Sequence, residues 1–176
     1  MPAYLLLLVA ILSRLIPHAP WFSFTAVGGS LLYFGARRSW QEMIAPMAAL
    51  MATDVVLTVA VYHYSFWLPT YLATWLWYAG AMVLGRVLLR EKTTVARLAS
   101  AIVLGPTSFF LVSNFGYWLT TQDYPHTASG LIACYIAALP FYPNDLASTA
   151  VVAGLAFGVP ALIRRASAAQ TVSVSR

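Results

Sequence analysis

The chain has 176 residues, of which 61% are hydrophobic and only 9% charged, with a net charge of +5 and a mean hydropathy of +0.76. A soluble domain carries roughly 25% charged residues, so this composition excludes one and describes an integral membrane domain over residues 1–166, followed by a small polar tail, 167–176, expected to be disordered and cytoplasmic. The basic residues lie at the ends of apolar segments, where topology and anionic headgroups account for them, so nucleic acid is not an expected partner.

Six membrane spans are expected in an all-α polytopic bundle. The first covers residues 3–16 and ends at Pro17 and Pro20. It has no basic n-region and no small-residue cleavage site, so it reads as a retained helix rather than a signal peptide. The second covers 22–36 and ends at Arg37 and Arg38. The third covers 44–62, the fourth 67–89 and the fifth 95–119. Around the connection of the fourth and fifth stand Arg86, Arg90, Glu91, Lys92 and Arg97. The last span, 146–163, ends at Arg164 and Arg165. A spanning helix needs about 20 apolar residues, so the shorter stretch 128–139 fits a re-entrant or interfacial helix better than a crossing.

Lys- and Arg-rich short loops stay cytoplasmic. With 128–139 not crossing, all three basic clusters fall on one side, and both termini are expected in the cytoplasm of a bacterial cell. The outer connections are then 17–21, 63–67 and 120–145, which carry His18, His63 and His126 and hold or border Trp21, Trp67 and Trp118. An aromatic belt at the lipid–water interface uses such residues; so does a ligand vestibule.

Asp54 is the costliest residue, since a central carboxylate costs roughly 2.5–3.5 kcal/mol to insert. Arg14 is its natural partner. It lies about eleven residues into the first span and Asp54 about ten into the third, roughly 15–17 Å deep in both cases. The two form either a packing ion pair or part of a ligand or proton site; a lipid-edge position with snorkelling is the remaining alternative. Asn114, in Ser113-Asn114-Phe115-Gly116-Tyr117-Trp118, can bond a ligand or a neighbouring helix. No spacing brings the three histidines together, so no metal site is assigned. Cys134, the single cysteine, excludes an internal disulfide and reads as a small buried hydrophobe. Asn144 or Asp145 can cap the last helix. Ala150, Gly154 and Gly158 form a small-xxx-small stripe, as do Ala45 and Ala49, and intramolecular helix packing is its common use. There is no phosphate loop, nucleophile elbow or zinc-protease motif, and no pair of adjacent carboxylates, so an enzyme is not expected and no cofactor can be named.

The segments Ser13–Pro20, Phe24-Thr25-Ala26-Val27-Gly28-Gly29, Met51-Ala52-Thr53-Asp54, 113–118, Tyr124-Pro125 and 130–141 together resemble a family of small uncharacterised bacterial membrane proteins. That family looks related to the substrate-binding S-components of energy-coupling-factor (ECF) vitamin transporters. The resemblance implies a vitamin-like solute bound near the outer face and a separate energising membrane complex with its own ATPases. S-components often dock through a stripe of small residues on the first helix; here that helix departs from the pattern, with only scattered Ala3 and Ala10. The cobalt-ligating cysteine of solitary cobalamin-binding members is not carried over to Cys134.

The leading expectation is a solute-binding or transport subunit embedded in lipid, with Arg14, Asp54 and Asn114 as polar anchors. Trp21, Trp67 and Trp118 are expected as stacking walls, with His18 and His126 nearby. The alternative is a structural subunit of a larger membrane complex that binds protein, pigment or lipid.

Overall fold

The computed structural model describes residues 1–15 and 24–174. Its helices are α1 (Pro2–Leu15), α2 (Val27–Arg37), α3 (Ile44–Val56), α4 (Leu68–Leu89), α5 (Val95–Thr120), α6 (Ala128–Ala138) and α7 (Tyr142–Val174). A 3₁₀ turn, Gln41–Met43, leads into α3, and a π-helical turn, Leu57–Val61, extends it. No strand occurs among the described residues. Four helical runs are long and apolar enough to cross a membrane: Gln41–Val61, Leu68–Leu89, Val95–Thr120 and Ala128–Arg164. α1 is a shorter apolar helix.

α2 is the axis of the bundle. Val27, Leu31, Leu32, Phe34 and Ala36 are all buried, and α1, α4, α5 and α7 pack around it. An 11-residue helix reaches only about 16 Å, and burial among longer neighbours compensates for that length. α2 and α4 meet backbone to backbone: a Cβ on Gly35 would overlap the Met82 carbonyl, and one on Gly85 would overlap the Leu32 carbonyl. Only glycine permits this approach.

Arg37, Arg38 and Arg86 gather at one end, away from Arg14. There Arg38 lies 4.7 Å over the Tyr4 ring and pairs with Glu42 at 3.4 Å. Arg86 donates to the Arg38 carbonyl at 2.9 Å and covers the Trp40 ring at 4.5 Å. Arg37 covers Phe157 of α7 at 5.2 Å. This cationic end stitches together the start of α1, the ends of α2 and α4, and the inner part of α7.

Two expectations change. The stretch 128–139 does not turn back, as a re-entrant helix would. Pro140 lacks the N–H that would continue α6, so the chain makes a 3₁₀ turn, Leu139–Phe141, and then carries on as α7. Its contacts step along α5 in one direction. Trp118 bonds Pro125, the Asn114 carbonyl meets Cys134, the Leu111 carbonyl meets Tyr135, and Thr107 meets Tyr142. α6 and α7 are two legs of one broken path. Second, the stripe Gly154–Gly158 is not used for packing within the bundle, since a Cβ on either glycine would meet open space. α7 itself remains helical through Val174, beyond the start of the expected polar tail.

Gly35→Ala should lower stability by about 1–3 kcal/mol, because the Met82 backbone cannot yield cheaply. Gly80→Ala, with nothing within 4 Å of the new methyl, should not destabilise and should gain up to about 1 kcal/mol from the better helix former. Thermal unfolding of both variants in the same detergent checks the contrast.

Candidate functional site

The end opposite the cationic cluster contains a cavity of about 430 Å³. It lies between the last turn of α1, the start of α2, the last turn of α3, the first half of α4, the second half of α5 and the α6–α7 break. Helical spacing explains the wall. On α4, Tyr71, Thr74 and Tyr78 share one face, and on α5, Phe109, Phe110, Ser113 and Asn114 do the same.

One polar cluster organises it. Asp54 is only 3% exposed, and its carboxylate is fully occupied. Arg14 forms an ion pair with Oδ1. The Trp75 indole donates to Oδ2 at 2.8 Å. The Tyr78 hydroxyl donates to the same carboxylate at 3.2 Å and accepts from Arg14 Nη1 at 3.2 Å. The pair expected from equal depth is thus formed, and α4 supplies the two bonds that complete it. One turn on, the Thr58 hydroxyl donates to the Asp54 carbonyl at 2.7 Å and is bonded by the Tyr71 hydroxyl. The π-helical turn begins just before Thr58; such turns recur at functional sites.

Trp77 forms part of the floor. Its indole N–H donates to the Gly105 carbonyl at 3.2 Å and to the Ser108 hydroxyl at 3.0 Å, and its ring packs on Phe109 at 4.6 Å. Asn114 donates its amide to the Phe110 carbonyl at 2.7 Å. That leaves the side-chain oxygen as an acceptor in the cavity wall. Asp145 also lines the cavity. It caps nothing: the chain enters α7 from a preceding helical turn, and the Ser148 hydroxyl bonds its backbone carbonyl rather than its carboxylate.

Of the expected site residues, the cavity brings together Arg14, Asp54 and Asn114. Trp67 lies elsewhere, 61% exposed at the start of α4. Trp118 and His126 form a separate surface pair, with ring centroids 5.3 Å apart. The Trp118 indole bonds the Pro125 carbonyl and the His126 ring bonds the Thr121 carbonyl, so both secure the loop before α6. His18 and Trp21 lie outside the described residues. Sequence reasoning passed over Tyr71, Trp75, Trp77, Tyr78 and Asp145. The face at 71, 74, 75 and 78 was readable as a helical stripe; its meeting with Asp54 was not. Among the described residues no group of His, Cys, Asp and Glu could hold a metal ion.

Removing one member of a buried ion pair strands the other. Asp54→Asn and Arg14→Met should each lose about 3–5 kcal/mol, and the double variant Arg14→Met/Asp54→Leu should lose clearly less than their sum. A double-mutant cycle by thermal unfolding measures the coupling.

Comparison with curated proteins and with solved structures gave no match. The chain belongs to a family of unknown function, DUF6580, whose sequence profile matches residues 1–171.

Proposed function

We propose that the protein is a membrane-embedded solute-binding subunit, organised like the S-components of ECF transporters, that captures a small vitamin-like solute from the outer face of a bacterial cytoplasmic membrane. The observation that carries this reading is the cavity of about 430 Å³ with an aromatic wall and a few convergent polar groups. Small-molecule sites occupy roughly 300–1,000 Å³ and have that composition. In this reading Asn114 contacts the solute, the mutually neutralised Arg14–Asp54 pair forms the polar wall beside it, and Trp77 and Tyr71 take the stacking role expected of Trp67 and Trp118.

The positive-inside rule supplies the orientation. Applied to Arg37 and Arg38, the 86–97 loop and Arg164, it puts the cationic end in the cytoplasm and the cavity outside, with both termini inside. Six crossings result, α1 and α2 being short ones and the α6–α7 path the last. The sequence has no nucleotide motif, so a separate membrane complex would have to energise transport. Docking through small residues on α1 is not favoured, because Ala3 and Ala10 face the core while Leu5, Leu8 and Leu12 face outward.

A second reading, a structural subunit of a larger complex, is favoured by Gly154 and Gly158, which face open space on α7. Native mass spectrometry on protein purified gently from its host separates the two. A stoichiometric small molecule is expected, and Asn114→Ala should weaken its retention by roughly tenfold. Co-purified membrane subunits with no small molecule would favour the structural reading.

A further inference from the structure

We propose that the cavity takes an organic cation with an aromatic or heteroaromatic ring, and that the Asp145 carboxylate is its counter-charge. The inference rests on the solute-binding reading above and specifies its ligand class.

Charge balance leads to it. Among the described residues, the charged ones in the cavity wall are Arg14, Asp54 and Asp145. Arg14 and Asp54 neutralise each other. Asp145 has no ion pair within 4.0 Å and no hydrogen bond to its carboxylate among the described residues. Among the described residues no Lys, Arg or His lies within 4.0 Å of it. Arg37, Arg38 and Arg86 are engaged at the far end of the bundle, and Arg90, Lys92 and Arg97 belong to the same end. The stretch 16–23, outside the described residues, contains no lysine or arginine; its one titratable group is His18.

A carboxylate set within a membrane domain without a partner is costly, and such residues typically mark a ligand or ion path. Asp145 stands in the first turn of α7, where the helix dipole favours a carboxylate by less than an unpaired carboxylate in a membrane domain costs. The wall around it suits a cation. Tyr142, one turn earlier on α7, is held by a 2.8 Å bond to Thr107, and its ring packs on Phe110 at 5.4 Å. Aromatic faces of this kind attract cations through the ring quadrupole, whereas an anion would face both Asp145 and those ring faces. The side-chain oxygen of Asn114 adds an acceptor for an N–H of the ligand.

The test is equilibrium dialysis of the full chain in lipid nanodiscs against three radiolabelled probes: benzyltrimethylammonium, benzyl alcohol and benzenesulfonate, with empty nanodiscs subtracted. The cation should bind roughly ten- to a hundredfold more tightly than the other two. Asp145→Asn should remove that margin and leave benzyl alcohol unchanged, and Asp145→Glu should keep most of it. If the neutral or anionic probe binds as well as the cation, or if Asp145→Asn keeps the margin, the cation preference is overturned and the solute site stands. If no probe of any charge binds, the solute-binding reading fails and takes this inference with it. Should Asp145→Asn not fold, the charge series on the unaltered protein decides.

Discussion

The buried carboxylate of Asp54 is the constraint on which the cavity end of the bundle depends. Left alone in a low-dielectric interior it would be prohibitive, and it is accommodated because three helices converge on it. α3 provides the acid, α1 the guanidinium, and α4 an indole and a phenol. Each partner has a fixed direction, so the cluster sets how α1, α3 and α4 face one another. The same side chains form part of the cavity wall. One arrangement therefore neutralises a charge, orients three helices and shapes a space.

The opposite end is governed by close approach. Gly35 and Gly85 let the backbones of α2 and α4 touch, and arginines cover the aromatic rings nearby. Towards the other end the contacting residues become large: Tyr71, Trp77, Tyr78, Phe109 and Phe110. Glycine contacts hold helices near each other, while rings keep them apart. Close approach also occurs beside the cavity, where Gly116 of α5 meets Ala73 of α4, so the rings open a local space rather than loosening the whole end.

Much of this was legible in the sequence because it is written in one-dimensional signals. Runs of apolar residues marked α3, α4 and α5, and the charge clusters marked their ends. Equal depth along two helices paired Arg14 with Asp54. Other features depend on three-dimensional encounters that no spacing encodes. Trp75 and Tyr78 have no role in the sequence reading; they acquire one only when α4 is placed against α3. Trp67 and Trp118 have the same chemistry as Trp77, and only packing shows that Trp77 faces the cavity. Pro140 signalled a break, yet whether the chain turned back or continued depended on how α6 lies along α5. Asp145 looked like a helix cap because capping is the common use of an acid before an apolar run; the preceding helical turn removes that role.

The central claim is that the cavity organised by Asp54 opens to the outer face. Ser113→Cys places a thiol in the cavity wall when Cys134 is replaced by alanine. Its reaction with a membrane-impermeant thiol reagent, compared in right-side-out and inside-out vesicles, tests the claim most directly. The account predicts labelling from the outer side alone. Labelling from the side of the arginine-rich loops, or from neither side, would contradict it.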